Sequence, residues 1–230
     1  MEGLVALVGS GEYLPTMRPL EQQLLENRPP RFVQIATAAV PDGEERLAYW
    51  HELGRTQAEA LDVTCVIATV TNRDEANDPQ FADLVRGAGL IYLSGGHPGF
   101  LADALRDTLL WRNVVAEWRG GASLAGCSAG AMALCSWVPS LRHPFDSGVR
   151  GLGLFPALRV IPHFDAFYQR VPSIVDRFIH GKDESVSLIG IDEETAIVGG
   201  PQTWRVEGRG SAWRLDGDRV EFPTGTTLSL

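Results

Sequence analysis

The sequence predicts an α/β fold built on one doubly wound, mostly parallel sheet, with a small antiparallel extension near the C-terminus. Up to residue 157, short β-rich runs alternate with segments of helical period, which is typical of βαβ units. Beyond residue 157 the strand-like runs follow one another closely around the Asp216-Gly217 turn, as antiparallel hairpins do. With 230 residues, 44% of them hydrophobic, the chain can bury one full core. We therefore expect a single domain over residues 1–230.

The individual elements are predicted from local hydrophobic patterns and helix-start signals. Strands are predicted at residues 4–8, 31–36, 63–70, 89–93, 123–125, 158–161, 186–191, 204–207, 212–215 and 219–222. Helices are predicted at residues 15–26, at residues 43–61 and from residue 78 to just before residue 87. In the second helix Leu47, Trp50 and Leu53 recur every third residue. For the third, Asp78 supplies an N-cap and Pro79 a helix-starting proline.

Composition and charge exclude several classes of protein. The longest apolar runs fall far short of the roughly 20 residues that cross a bilayer, so no membrane span is expected. A formal charge of -9 without a clustered basic patch argues against a nucleic-acid surface. Three cysteines, none spaced as Cys-x-x-Cys, indicate neither a disulfide framework nor a zinc ribbon. Because the N-terminal residues also lack a secretory signal pattern, we expect a cytoplasmic protein.

A nucleophile elbow is the strongest catalytic signal. Residues 123–134 run from a buried strand through Gly126-Cys127-Ser128-Ala129-Gly130 into a helix of small residues. In such a G-x-S-x-G turn the serine is strained, and the flanking glycines let strand and helix approach without Cβ clashes. The Ser128 hydroxyl is then expected at the carboxyl end of the sheet, where the Ala129 amide can donate to a developing oxyanion. The alternative is a tight glycine turn with an incidental serine.

A second glycine turn, Ser94-Gly95-Gly96-His97, also ends a predicted strand. In a doubly wound sheet both turns lie along the same carboxyl-end edge, where ligands bind. A backbone amide at Gly96 or His97 is therefore a candidate for the second oxyanion donor. The alternative is an ordinary βα loop, in which the His97 side chain is solvated instead of contacting substrate.

A serine nucleophile needs a general base, and the chain has five histidines. His163 is the best candidate because it follows the strand predicted at residues 158–161, which would deliver it to the edge that carries Ser128. His51 and His180 lie in or near the end of predicted helices, and His143 lies in a loop. The alternative for His163 is a structural, hydrogen-bonded histidine.

Candidates for the acid that orients the base follow the strand predicted at residues 186–191. Asp192, Glu193 and Glu194 stand there in a row, a pattern equally typical of a solvated turn. Asp146, in the loop after the elbow helix, competes with them. The residues alone leave this choice open.

Taken together, the motifs resemble those of the serine peptidase family that contains peptidase E and cyanophycinase. The similarity in order and spacing extends from residues 9–11 to the C-terminal strands. The residues that carry it are Ser94-Gly95-Gly96, Gly126-Cys127-Ser128-Ala129-Gly130-Ala131, Gly151-Leu152-Gly153-Leu154-Phe155-Pro156, Pro162-His163-Phe164 and Gly190-Ile191-Asp192-Glu193-Glu194-Thr195-Ala196.

The resemblance implies a fold similar to class I glutamine amidotransferases, with a flavodoxin-like sheet and helices on both faces. It also implies cleavage of a peptide or isopeptide bond of a small peptide, without a metal or cofactor. In this family Ser128 would be the nucleophile and His163 the base, with the Gly96 and Ala129 amides as oxyanion donors.

The acid and the substrate differ between the two family patterns. The cyanophycinase pattern implies Glu193 as the acid, whereas the peptidase E pattern takes an aspartate from the loop after the elbow, where Asp146 is nearest. Cyanophycinases tend to have a polar residue and a glutamine where this chain has His97 and Pro98. Peptidase E favours an N-terminal aspartyl residue, and Arg170 is a candidate for holding such a carboxylate. The resemblance thus implies the reaction type more firmly than the substrate.

Three other functions fit parts of the sequence. A glutamine amidotransferase would have cysteine as the nucleophile, but Cys127 lies one residue early and its side chain is expected to point into the sheet. An esterase of the α/β-hydrolase type shares the order Ser128, Asp146, His163, although such chains are usually longer. A non-catalytic binding module would keep the fold alone, which the complete set of triad candidates argues against. Small α/β enzymes of this kind are often homodimers, and the sequence leaves the oligomeric state open.

Overall fold

A central sheet of eight strands organises the protein. The computed structural model describes residues 2–139, 148–166, 185–200 and 202–229. The strands of the central sheet are β1 (Val5–Val8), β2 (Arg31–Ile35), β3 (Thr64–Ile67), β4 (Leu90–Leu93), β5 (Ser123–Cys127), β10 (Thr195–Gly199), β11 (Thr203–Gly208) and β14 (Thr227–Ser229). Their order in space is β14-β11-β10-β1-β5-β4-β2-β3. The first five strands in the chain pair in parallel, and the last three extend the β1 edge antiparallel.

Helices follow the parallel strands, as the alternating pattern predicts. The α-helices of the described residues are α1 (Arg18–Leu25), α2 (Glu44–Ala60), α3 (Arg73–Asn77), α4 (Pro79–Ala82), α5 (Pro98–Leu105), α6 (Leu109–Arg119) and α7 (Ala129–Leu134). Two 3-10 helices, Thr37–Asp42 and Asp83–Val85, complete the set in this part of the chain. The predicted cap at Asp78 is confirmed, because its side chain accepts a hydrogen bond from the Gln80 amide at 2.8 Å. The helix that it starts is shorter than predicted, since α4 gives way to a 3-10 turn after one turn.

The two faces of the central sheet are covered separately, which confirms helices on both faces. Successive side chains of a strand point to opposite faces, so each strand contributes to two clusters. On one face, Leu24 of α1 and Ala58 of α2 pack with Val8 of β1. On the other face, Leu105 of α5 packs with Leu7 of β1. These clusters fix the sheet between its helices and thereby hold the carboxyl ends of β1, β4 and β5 in place.

A second, four-stranded sheet lies beside this framework. It consists of β8 (Leu158–Ile161), β9 (Ser187–Ile191), β12 (Ser211–Arg214) and β13 (Val220–Pro223), in the order β13-β12-β9-β8. The β8–β9 pair is parallel and the other pairs are antiparallel. Val160 and Ile189 of this sheet belong to the same hydrophobic cluster as α5. The antiparallel C-terminal strands are thus confirmed, but they divide between two sheets.

A short hairpin-like pair follows the elbow helix: β6 (Trp137–Val138) and β7 (Val149–Arg150) are antiparallel. In the part of the chain that the structure describes, no helix is both long enough and apolar enough to cross a membrane.

Candidate active site

Ser128 lies in the sharp turn between β5 and α7. Its backbone angles are φ 49° and ψ -104°, outside the regions that side-chain-bearing residues normally occupy. The Ser128 amide donates to the Val8 carbonyl at 2.9 Å, and the Ser128 carbonyl accepts from the Met132 amide at 3.1 Å. The turn is therefore held by β1 on one side and by α7 on the other. This places Ser128 just beyond the carboxyl ends of β1 and β5.

The glycines of the elbow are required by close packing. A Cβ atom at Gly126 would lie 2.7 Å from the carbonyl carbon of Gly130. A Cβ atom at Gly130 would overlap the backbone carbonyl oxygen of Leu93 in β4. Since backbone atoms cannot rotate away as a side chain can, any larger residue would separate α7 from β4 and β5.

His163 approaches Ser128 from the second sheet. It stands two residues after β8, and its Nε2 atom lies 3.0 Å from Ser128 Oγ. The next residue, Phe164, is buried and packs over Gly190 of β9, where a Cβ atom would lie 2.5 Å from the ring. Gly190 thus makes room for the ring that anchors the backbone beside His163.

Glu193 contacts the other ring nitrogen of His163. The distance from Glu193 Oε1 to His163 Nδ1 is 3.0 Å. The Glu193 amide donates to Asp165 Oδ1 at 3.0 Å, which ties the segment after β9 to the segment after β8. An ionised carboxylate can only accept, so it favours the tautomer with a proton on Nδ1. In that tautomer Nε2 carries the lone pair that can accept the proton of the Ser128 hydroxyl.

The two neighbouring carboxylates point elsewhere. Asp192 accepts hydrogen bonds from the Ser211 amide and the Trp213 indole, both at 2.9 Å, and burial raises the pKa of its carboxyl. Glu194 pairs with Arg209 at 3.3 Å. Hydrogen bonds, first from Thr16 and then from Arg209, lower the pKa of Glu194. Asp146 lies outside the described residues.

The double-glycine turn lies directly beside the elbow. A Cβ atom at Gly95 would be 3.6 Å from Ser128 Cβ. Gly96 has φ +136° and fits tightly against the Ala38 carbonyl, so this position requires glycine. The amide of Gly95 donates to Glu12 Oε1 at 2.8 Å, and that of His97 donates to the Ala38 carbonyl at 2.7 Å.

Two backbone amides at this junction have no acceptor within the described residues: those of Gly96 and Ala129. The Gly96 amide lies between the amides of Gly95 and His97, which both donate hydrogen bonds. The Ala129 amide is the first of α7. Both turns follow adjacent parallel strands, β4 and β5. Such paired amides next to a serine hydroxyl are the arrangement that stabilises an oxyanion.

His97 lies at the rim of this region. Its Nε2 atom is 2.7 Å from Asp42 Oδ1, and the His97 side chain is 27% exposed. The ring is thus held by a carboxylate of the neighbouring 3-10 helix while keeping a solvent-accessible surface. Arg170, the other candidate for substrate contact, lies outside the described residues.

Glu12 is a buried acid at the site that sequence reasoning missed. It follows β1 in the Gly9-Ser10-Gly11-Glu12 loop and is 9% exposed. Its Oε2 atom lies 2.7 Å from Cys127 Sγ. Cys127 points inward, as predicted, and burial raises the pKa of its thiol well above the ordinary value. The only sequence signal for Glu12 was its position after a strand that ends at the predicted site edge.

The geometry provides the parts needed for nucleophilic attack on a carbonyl group. These parts are a hydroxyl, an imidazole within hydrogen-bond distance of it, a carboxylate that orients the imidazole and two backbone amides. No cluster of three or more histidine, cysteine, aspartate or glutamate side chains suited to a metal ion occurs among the described residues.

Comparisons with known proteins agree with this architecture. The sequence profile described as Peptidase family S51 matches residues 4–205. The crystal structure of a peptidase from an acI-B1 Actinobacterium is 40% identical, with a TM-score of 0.92 over 100% of this chain and 98% of that one. A candidate peptidase E protein from Listeria monocytogenes EGD-e shares the fold at 17% identity, with a TM-score of 0.61 over 98% of this chain and 100% of that one. No curated protein matches significantly.

Proposed function

Because the chain belongs to peptidase family S51 and is a serine peptidase, we propose that it hydrolyses a peptide or isopeptide bond of a small peptide with Ser128, His163 and Glu193. The observation that carries the proposal is the continuous chain of contacts through His163. Nε2 of its ring lies 3.0 Å from Ser128 Oγ, and Nδ1 lies 3.0 Å from Glu193 Oε1. Both distances are within the range for proton transfer and orientation.

In the proposed reaction Ser128 Oγ attacks the carbonyl carbon of the scissile bond while its proton passes to His163 Nε2. The carbonyl oxygen becomes an oxyanion and accepts hydrogen bonds from the Gly96 and Ala129 amides. Glu193 stabilises the imidazolium that forms. The C–N bond then breaks, the leaving amine takes the proton from His163, and an acyl group remains on Ser128. Water, deprotonated by the same ring, attacks the acyl group, and the acyl–Oγ bond breaks as Ser128 Oγ takes the proton back from His163, which releases a carboxylic acid and restores the hydroxyl.

The geometry favours Glu193 as the acid over its two neighbours, Asp192 and Glu194. Asp192 is committed to the backbone of β12 and to the Trp213 indole. Glu194 is committed to Arg209. Glu193 is the member of the row whose carboxylate meets the ring, and its segment is fixed to Asp165 on the histidine side. This assignment corresponds to the cyanophycinase pattern of the resemblance.

The compartment is proposed from cysteine chemistry. Cys65, Cys127 and Cys135 are all free thiols. Free cysteines are typical of reducing compartments, so we propose that the peptidase acts in the cytoplasm.

Hydrolysis of a peptide panel by wild type and by Ser128→Ala tests the proposed function. The panel contains Asp-X dipeptides, β-aspartyl-arginine and dipeptides with neutral N-termini. We expect cleavage of one class, with a loss in Ser128→Ala of at least about 10³-fold in kcat, because the nucleophile is absent. Ser136→Ala is the matched control, since it removes a hydroxyl just beyond α7 and should stay within about twofold of wild type.

A fluorophosphonate label gives a reading independent of the substrate. It should attach to Ser128 in wild type and in Ser136→Ala but not in Ser128→Ala. A folded Ser128→Ala variant that still cleaves the same peptide at the wild-type rate would refute the nucleophile assignment. If wild type neither cleaves any panel member nor accepts the label, the chain is a binding module on a peptidase fold.

A further inference from the structure

Glu12 links the two glycine turns of the active site through one carboxyl group. Its Oε1 atom accepts the Gly95 amide at 2.8 Å, and its Oε2 atom lies 2.7 Å from Cys127 Sγ. Gly95 immediately precedes Gly96, and Cys127 immediately precedes Ser128. A single side chain from the loop after β1 therefore contacts the residue before each of two proposed catalytic groups.

From this contact we infer that Glu12 is a positioning residue that fixes the Gly96 amide as an oxyanion donor through the amide of Gly95. The inference rests on the proposed function, because it assigns a positioning residue to the same oxyanion site. Three successive amides lie along the turn. Those of Gly95 and His97 are engaged by Glu12 and by the Ala38 carbonyl. The middle amide is thereby held between two fixed peptide planes.

The alternative that Glu12 is only a filler of the core disagrees with its chemistry. Burying a carboxyl group is costly unless it accepts hydrogen bonds, and an apolar side chain would fill the same space without that cost. A Cβ atom at Gly95 would lie 2.7 Å from Glu12 Oε1, so a larger residue there would displace the carboxyl group from the turn. The absence of a side chain at Gly95 therefore lets the Glu12 carboxyl reach the Gly95 amide.

The Cys127 contact is not the one through which Glu12 acts. The Cys127 thiol stays protonated, since burial raises its pKa well above the ordinary value, and it donates weakly. The Ser128 turn is already held by the Val8 carbonyl and by α7. Removing the thiol should therefore leave the nucleophile in place, whereas removing the carboxyl releases the Gly95 peptide.

The test is the rate of fluorophosphonate labelling of Ser128, which does not require a known substrate. Ser128 Oγ attacks phosphorus, fluoride leaves, His163 takes the hydroxyl proton, and the phosphoryl oxygen occupies the oxyanion site. We expect Glu12→Ala to lower the limiting labelling rate by about 10- to 100-fold with a concentration dependence near that of wild type, because a misplaced donor weakens the transition state rather than binding.

Three further variants separate positioning from general support of the fold. Glu12→Gln keeps a side-chain oxygen for the Gly95 amide, so its rate should return to within about fivefold of wild type. Cys127→Ala removes only the other partner and should stay within about threefold. Gly95→Ala leaves Glu12 in the chain but displaces its carboxyl, so it should be as slow as Glu12→Ala.

Each outcome decides the inference. A folded Glu12→Ala variant that labels at the wild-type rate overturns it while leaving the proposed function intact. If Glu12→Ala fails to fold, a folded Gly95→Ala variant that labels at the wild-type rate overturns it equally. A Glu12→Gln variant no faster than Glu12→Ala, with a parallel loss of thermal stability, assigns Glu12 to the fold and also overturns it. No labelling of wild type removes the proposed function and this inference together.

Discussion

The proposed nucleophile and the proposed base both have a positive φ. Ser128 has φ 49° with ψ -104°, and His163 has φ 50°. A positive φ in a residue with a side chain costs free energy and persists only where the surrounding structure enforces it. Here the enforcement comes from the Val8 carbonyl beneath Ser128 and from Phe164 packed over Gly190. In this backbone conformation the Ser128 hydroxyl lies 3.0 Å from His163 Nε2.

Replacement of Glu193 by glutamine tests the acid. Glutamine can turn its NH₂ group toward His163 Nδ1 and so favour the tautomer in which Nε2 carries the proton and cannot accept one from Ser128. A buried triad acid changed in this way loses about 10⁴-fold in kcat, but the Glu193 side chain is 49% exposed and water can replace part of its role. We therefore expect a loss of about 10²-fold in kcat at little change in KM, measured on a peptide that wild type cleaves.

The neighbouring Glu194→Gln variant is the matched control. It changes the same functional group one residue away, where the carboxylate contacts Arg209 and not the ring. Its kcat should remain within about threefold of wild type. Equal losses of kcat in Glu193→Gln and Glu194→Gln would show that kcat depends on the local negative charge and not on the contact between Glu193 and the His163 ring.

At this scale the sequence predicts some residues better than others. The positions of Ser128 and His163 follow from strand-to-turn patterns, because the turn itself carries the chemistry. The acid could not be chosen, since Asp192, Glu193 and Glu194 are alike in sequence and are separated only by which way the folded backbone turns each of them. Glu12 could not be found because a lone glutamate in a loop is usually solvated; its burial depends on two turns that are distant in the chain.

At the scale of elements, the site is built where two sheets meet. β5 supplies Ser128 from the central sheet. The parallel pair β8–β9, in which Ile161 lies opposite Gly190, supplies His163 and Glu193 from the second sheet. Since parallel strands end on the same side, His163 and Glu193 emerge together, two residues after their respective strands. The relative placement of base and nucleophile therefore depends on how α7 and β8 pack.

Substitution of Gly130 by alanine tests the packing of α7 against β4 of the central sheet. Alanine favours a helix over glycine by about 1 kcal/mol, but its Cβ would overlap the Leu93 carbonyl oxygen, which cannot move without disturbing β4. Overpacking against backbone costs more than the helix gains, so we expect a net loss of about 2 kcal/mol in the free energy of unfolding. Urea denaturation measures it, and the labelling rate of Ser128 should fall as well.

Gly99→Ala provides the comparison. Gly99 lies in the first turn of α5, and among the described residues a Cβ atom there would meet only Val149 Cγ2 at 3.4 Å, an ordinary contact. Its stability should be unchanged or higher by up to about 1 kcal/mol. If Gly130→Ala behaved like Gly99→Ala, the close approach of α7 to β4 would not be needed for the elbow.

At the scale of the whole molecule, the parallel half of the fold was predictable and the partition of the remaining strands was not. Alternating strands and helices impose a parallel sheet because each crossover needs a helix. The C-terminal strands carry no such constraint. β10 pairs with β1, which lies near the other end of the chain. β9 precedes β10 in the sequence and β12 follows it, yet these two strands pair with each other in a separate sheet. Local periodicity contains no information on which of two distant partners a strand selects.

The whole fold also carries a buried acid that the proposed chemistry does not use. Glu21 of α1 is 1% exposed and accepts a hydrogen bond from Gln57 of α2. Burial raises the pKa of this carboxyl from 4.5 to about 7, against the opposing effect of the Gln57 hydrogen bond and of Arg18, and with Glu12 adding to the rise. In the unfolded chain the carboxyl loses its proton near its ordinary pKa, whereas in the folded protein it keeps the proton until higher pH.

Between the unfolded and folded pKa values the folded state binds more protons, so its stability falls as pH rises, and the full cost persists above about pH 7. Glu21→Gln removes the ionisation while keeping an oxygen for Gln57. We expect its stability relative to wild type to increase between about pH 5 and about pH 8, by up to roughly 3 kcal/mol, in urea denaturation curves. The Glu26→Gln variant, at the exposed end of the same helix, is the control for changing an acid to an amide. A flat response in Glu21→Gln would place the Glu21 carboxyl in contact with water.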